Sequence, residues 1–203
     1  YTIHEIGIPS LVLMERAALS VFQALREENF PLKRVLVLCG TGNNGADGVA
    51  VARMLHMTGV SADICILGKK DHYTEEMRKQ VKIAENYHIS FVKNAVPAEY
   101  TTIVDAVFGV GLSREVGGKY RDTIEALNRS GAKVMAVDIP SGISADTGKV
   151  LGCAVKADVT VTFAYEKAGL LFYPGASCAG KVRTADIGIY RLPQNDFELA
   201  IQS

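Results

Sequence analysis

Leu11, Met14, Ala18, Val21, Phe22 and Leu25 recur at helical spacing in "SLVLMERAALSVFQALREE", residues 10–28. That period predicts an amphipathic helix starting behind Pro9-Ser10. The pattern then changes. "RVLVLCG" sets four consecutive apolar residues ahead of a cysteine and a glycine, which predicts a buried strand. "NGADGVAVARMLHMTG" returns to helical spacing through Val49, Ala52, Met54 and Leu55, with Gly59 as its stop. "SADICIL" follows as a second strand, "YTEEMRKQVKIAENYH" as a polar-faced helix and "SFVK" as a short strand.

The second half repeats the alternation. "YTTIVDAVFGVG" is a strand entering a glycine-rich loop, "GKYRDTIEALNRSG" a helix ending at Gly131, and "AKVMAVDIPSG" another buried strand with its loop. "ADVTVTFA" and "GKVRTADIG" read as two later strands. Strands alternating with helices at this spacing predict an α/β protein with a mostly parallel sheet covered on both faces. No repeat, low-complexity tract or linker interrupts the 203 residues, so one domain with a continuous core is expected.

Composition narrows the classes of function. Hydrophobic content of 48% and charged content of 22% fit a globular chain rather than a disordered one. Lys plus Arg and Asp plus Glu both total 22, so the formal net charge is zero. The basic excess that usually marks a nucleic-acid or anionic-membrane binder is missing, and neither partner is expected. Cys39, Cys65, Cys153 and Cys178 form no C-x-x-C pair. Cys39 and Cys65 sit in or beside apolar runs, as small buried hydrophobes of a reducing compartment would. No apolar run reaches membrane-span length and no signal peptide opens the chain, so a cytoplasmic protein is expected. The first residue is Tyr1 rather than Met, so a fragment is one of the readings.

Candidate chemistry gathers at strand ends. "VLVLC" runs into "GTGNNGAD", "TIVD" into "AVFGVG" and "VMAVD" into "IPSG". In open parallel sheets, ligands bind beyond the carboxyl ends of the strands. Each loop brings glycines that allow close backbone approach and an oxygen-bearing side chain: Asn43, Asn44 and Asp47; Asp105; Asp138 and Ser141.

Gly40, Gly42 and Gly45 spell G-x-G-x-x-G, yet a dinucleotide turn also expects an acid at the end of the second strand for the ribose. Here that strand ends in Gly68-Lys69-Lys70, with Asp63 at its other end. An ordinary nicotinamide-dependent oxidoreductase is therefore disfavoured, while the turn stays suited to phosphate. Plainer readings stand beside these. Asn-Asn-Gly makes a tight turn, Asp47 answers a helix dipole as a first-turn acid, and Ser141 caps a helix. The four histidines, His4, His56, His72 and His88, show no metal spacing and read as surface or packing residues. Asp105 and Asp138 are harder to set aside, because a carboxylate ending a hydrophobic strand needs partners.

"GTGNNGADGVAVARML", "VDAVFGVGLSREVGG", "AVDIPSGISADTG" and "FAYEKAGLLFYPG" with "GKVRTADIGI" together resemble the NAD(P)HX epimerase family, the YjeF N-terminal domain. "IGIPSLVLMERAA" is similar to that family's first helix, so the likeness covers nearly the whole chain. Two positions depart from the pattern. Ala46 stands where a second glycine is usual, which tightens the space against a ligand. Val110 stands where threonine is common, which removes a hydroxyl.

The resemblance implies a Rossmann-like three-layer αβα sandwich and interconversion of the S and R forms of NADHX and NADPHX, nicotinamide cofactors hydrated at ring carbon 6. It implies substrate contacts at Asn43, Asn44, Gly45, Ala46 and Asp47, at Gly109, Val110, Gly111, Leu112, Ser113, Arg114 and Glu115, and at Asp138. It implies one potassium ion per subunit, held by Asn44, Asp105 and Ser141; amide, carboxylate and hydroxyl oxygens suit a hard cation. Asp138 is the candidate for catalytic proton transfer. Lys167 meets a phosphate, carries a proton or is a solvated lysine. A dehydratase that accepts the S form is the implied partner, fused or separate. The chain ends soon after "ADIGIYRLP", so either a stand-alone epimerase or the N-terminal part of a bifunctional enzyme is expected. The amphipathic first helix suggests a homodimer. A nucleotide-binding module without catalysis, regulatory or scaffolding, would show the same loops.

Overall fold

The computed structural model describes residues 2–190; the segment after residue 190, where a fused domain would begin, lies outside the described residues. The elements run α1 (Ser10–Glu27), β1 (Val35–Cys39), α2 (Asn43–Met57), β2 (Ala62–Ile66), α3 (Glu75–Asn86), β3 (Ser90–Phe91) and β4 (Thr102–Ala106). They continue through α4 (Gly118–Asn128), β5 (Lys133–Val137), β6 (Val159–Phe163), α5 (Ala168–Leu171), α6 (Ala176–Ala179) and β7 (Lys181–Ala185). One seven-stranded sheet has the order β3-β2-β1-β4-β5-β6-β7, and every pairing is parallel. This is the expected α/β sandwich, with a sheet that is parallel throughout.

Alternation along the strands divides the core in two. Val35, Val37 and Cys39 pack with α1, α2 and α3 on one face. Leu36 and Leu38 pack with Ile124 and Leu127 of α4 on the other. All five residues of β1 are buried, which is why its sequence is apolar without a break. Cys39 and Cys65 are buried free thiols, as their apolar surroundings predict.

Two details differ from the sequence pattern. The expected strand "SFVK" shrinks to Ser90–Phe91 at the sheet edge. The stretch after β6 forms α5 and α6, of four residues each, too short to leave a helical period. β1 pairs with β2 on one side and β4 on the other. The chain's direction across the sheet reverses there, and that reversal opens a crevice at the carboxyl ends of the strands.

Candidate active site

The glycines after β1 do different jobs. A side chain at Gly40 would place its Cβ 2.0 Å from the carbonyl oxygen of Val107, and one at Gly45 would sit 2.1 Å from the oxygen of Gly40. Both glycines therefore let the first turn of α2 lie on the ends of β1 and β4. Gly42 is different: a Cβ there would meet nothing within 4 Å, so its free space belongs to the crevice. α2 starts at Asn43, with Gly42 as its cap. Its first-turn N–H groups face the crevice, where an anion is favoured.

Helical spacing sorts the side chains of this turn. Asn43 and Asp47, four residues apart, share the crevice face. Ala46 is fully buried in the core between helix and sheet. The expectation that its methyl crowds a ligand is therefore corrected: the methyl points away from the crevice. Asp47 lies beyond the first turn and so is not the simple dipole-facing acid. No protein group among the described residues hydrogen-bonds its carboxyl. Burial first, and the charge of Asp138 second, push its pKa well above the ordinary 3.8.

Beneath the loop is a small polar nest. Asp105, at the end of β4, is fully buried. Its Oδ1 accepts the Ser141 hydroxyl at 2.6 Å and the Val107 N–H at 3.3 Å, and its Oδ2 accepts the Ser141 N–H at 2.8 Å. Ser141 Oγ in turn accepts the Phe108 N–H at 2.8 Å. Burial raises the Asp105 pKa to about 6, against the lowering effect of these donors. The loop at Gly109 presses on Asn44, whose Cβ and Cγ lie 3.2 Å from the site a Cβ would take. Asn44 Nδ2 is buried with no partner. Exchanging the amide nitrogen and oxygen is sterically neutral. It would turn an unpaired donor into an unpaired amide oxygen, the same class of hard donor as the carboxylate of Asp105 and the hydroxyl of Ser141.

Asp138, just past β5, is held in a left-handed conformation at φ 68°, unusual for any residue but glycine and asparagine or aspartate. Its N–H donates to Val161 O at 2.8 Å. Its Oδ1 accepts the Phe163 N–H at 3.1 Å, the Thr162 hydroxyl at 3.3 Å and the Lys167 ammonium. Lys167 also donates to Thr162 Oγ1 at 2.8 Å and to Phe163 O at 2.9 Å. The Asp138 and Lys167 side chains are only 13% and 18% exposed, so Lys167 is a partner of the site and not a solvated lysine. Oδ2 of Asp138 carries no hydrogen bond among the described residues.

A cavity of about 750 Å³ runs over these elements. Asn43, Asn44, Asp47, residues 109–114 and Asp138 line it. Gly45 and Ala46 do not, and Glu115 lines a smaller neighbouring cleft with Val116 and Gly117. Asp105 and Ser141 do not line the cavity; both are fully buried and reach it only through the Val107 and Phe108 N–H groups they accept. Val110 stands at the mouth, about half exposed. The structure adds His72, Thr74, Phe108 and Tyr120 to the wall; His72 is a surface residue, within the surface-or-packing reading of the sequence, that also borders the cavity. One cavity carries two carboxyls with opposite surroundings: Asp138 beside an ammonium and two further donors, Asp47 with none. Such an arrangement suits acid and base working together.

The family described as "YjeF-related protein N-terminus" matches residues 10–169. An NAD(P)H-hydrate epimerase of Oenococcus oeni is 55% identical over 94% of the chain and 91% of that protein. One of Levilactobacillus brevis is 51% identical over 91% of the chain and 86% of that protein. The crystal structure of yeast ynu0 shares the fold with a TM-score of 0.77 at 22% identity, covering 97% of this chain and 91% of that one.

Proposed function

The chain belongs to the family of YjeF-related protein N-termini, and from that premise we infer that it is an NAD(P)H-hydrate epimerase, an isomerase that interconverts the S and R forms of NADHX and NADPHX. The observation that carries this is the likeness, along almost the whole chain, to relatives of that name.

Inversion at C6 has two chemical routes. In one, the C6 hydroxyl leaves as water with the help of an acid, the N1 lone pair forms a double bond to C6, and water returns on the other face while a base takes its proton. In the other, a base removes the hydroxyl proton, the C6–N1 bond breaks to an aldehyde, an acid protonates N1, and the ring closes on the opposite face. Either route needs one donor and one acceptor near C6. We assign the acceptor to the free Oδ2 of Asp138, whose other oxygen is held by Lys167. The donor is Asp47, whose pKa is pushed well above the ordinary carboxylate value by burial first and the charge of Asp138 second. A positioned group of this kind contributes about 10²–10⁴-fold.

Asn44, Asp105 and Ser141 fit one potassium ion per subunit, supported by the unpaired Asn44 amide and the all-oxygen donor set. The ion would neutralise Asp105 and place positive charge under the substrate loop. Residence in the cytoplasm, a homodimer and a dehydratase partner, fused or separate, go with the same reading; no helix of the described residues is long and apolar enough to cross a membrane. The test is to add the protein with potassium to an R/S mixture of NADHX and follow the two forms by chromatography. Faster equilibration than the spontaneous rate is expected. No acceleration would leave a nucleotide-binding module without catalysis.

A further inference from the structure

A second cavity of about 330 Å³ opens beside the end of β2 and shares His72, Arg114 and Tyr120 with the main one. Lys69 and Lys119 complete its polar wall, and no acid among the described residues lines it. Lys69, Arg114 and Lys119 make no ion pair with any described residue, so their charge is uncompensated. The floor is fixed in place. Tyr120 donates its hydroxyl to Leu67 O at 3.3 Å. Gly68, at φ 123°, leaves no room for a Cβ, which would lie 2.6 Å from Thr41 Cγ2. The end of β2 is thereby held against the glycine loop.

On a parallel sheet with a phosphate at the first helix N-terminus, the end of the second strand meets the ribose 2′ position. An acid there binds a free 2′-hydroxyl; a cation there binds a 2′-phosphate. This chain puts Gly68-Lys69 at that point. Asp138 lies past β5, on the far side of β1 and β4. Three strand spacings, about 14 Å, separate the two ends, so the reacting ring and the basic cavity fall at opposite ends of one dinucleotide.

We propose that this cavity is a subsite for the 2′-phosphate of an adenosine moiety, formed by Lys69, Arg114 and Lys119, so that the protein prefers NADPHX to NADHX. The preference for a substrate rests on the epimerase reading; the phosphate subsite does not. A phosphate monoester brings a charge of about −1.5 to −2 at neutral pH, and each charge-assisted contact to it is worth about tenfold in affinity.

The test has a binding arm and a turnover arm. In the first, adenosine 2′,5′-bisphosphate and adenosine 5′-diphosphate are titrated into the protein by calorimetry, which holds the number of phosphates equal. The 2′,5′ compound should bind about tenfold or more tightly. Lys69→Ala and Lys119→Ala should each remove most of that ratio, and Lys69→Glu should reverse it. Equal affinities in the unaltered protein, or a ratio untouched by all three substitutions, overturn the proposal. In the second arm, kcat/KM for NADPHX should exceed that for NADHX by a similar factor. An active enzyme with a ratio near one also overturns the subsite and leaves the epimerase reading standing. No turnover of either substrate, with 2′,5′ selectivity intact, sinks the epimerase reading and leaves the subsite.

Discussion

Lys167 donates its ammonium proton to the same oxygen of Asp138 that receives the Phe163 N–H, which leaves the second carboxylate oxygen of Asp138 free above the cavity. If that free oxygen is the proton acceptor, Asp138→Asn should lower kcat by about 10²–10⁴-fold and change KM little. Asparagine is the proper probe because it tolerates the left-handed backbone at φ 68°. Steady-state rates on the R form, followed by chromatography, decide it; wild-type turnover by this variant would remove Asp138 from the mechanism.

The same ion pair should be visible in stability. Lys167→Met leaves a largely buried carboxylate without its cation and should cost about 3 kcal/mol. The double variant Lys167→Met/Asp138→Asn should recover much of that loss, because no unpaired charge remains. Urea denaturation of the four proteins closes the cycle. Additive losses would mean that the two side chains do not interact.

Asp47 makes a pH-dependent prediction. Its folded pKa is raised by burial and by Asp138, whereas the unfolded carboxyl titrates at about 4. Between those values the native state holds more protons than the unfolded state, so this group's contribution to stability falls as pH rises. Asp47→Asn removes that fall and should gain on the wild type progressively above about pH 4. It should also abolish most of the activity, since an amide donates a hydrogen bond but no proton. A stability difference that is flat with pH would contradict the protonated-acid assignment.

The cation nest is tested through melting temperature. Potassium chloride should raise Tm relative to tetramethylammonium chloride at the same ionic strength, because an ion that binds only the folded state stabilises it. Ser141→Ala removes the hydroxyl between Asp105 and the Phe108 N–H. It should abolish the potassium-dependent increment while lowering Tm in both salts. An increment of unchanged size in the variant would place the ion elsewhere.

The fingerprint glycines should separate into two kinds. Gly40→Ala and Gly45→Ala force a Cβ to within 2.0 and 2.1 Å of backbone oxygens, an overpacking that costs about 1–3 kcal/mol or more. Gly42→Ala meets nothing, so it should melt as the wild type does yet bind nucleotide more weakly. Parallel thermal melts and calorimetric titrations distinguish the two kinds. Equal destabilisation by all three would refute the division.

Much of this was legible in the sequence because long runs reveal their period. The buried strand "VLVLC" and the helix behind it could be placed within a residue or two, and the strand-end positions of Asp105 and Asp138 already set them apart. The partners of those acids were not legible. Lys167 reaches Asp138 across 29 positions of sequence, and nothing in the spacing of "YEKAGL" announces that contact. Ala46 invited a ligand-facing reading because it stands where a second glycine is usual in a loop whose Asn44 and Asp47 face the cavity. Only the helical rotation, about 100° per residue, turns its methyl into the core. The basic cavity at β2 was half visible: the missing ribose acid stood out, but Lys119 and Arg114 join Lys69 only through the packing of Tyr120.

The left-handed backbone at Asp138 also constrains what genetic change can do at this position. Any aspartate codon becomes an asparagine or a glycine codon by a single base change, and those are the two residues that accept φ 68° with little strain. The easiest mutational exits from catalysis are thus also the ones that leave this turn of the backbone unstrained, although each strips the Lys167 ammonium of its carboxylate. A lineage that drifted through them would inherit the backbone of a nucleotide-holding shell without an epimerase.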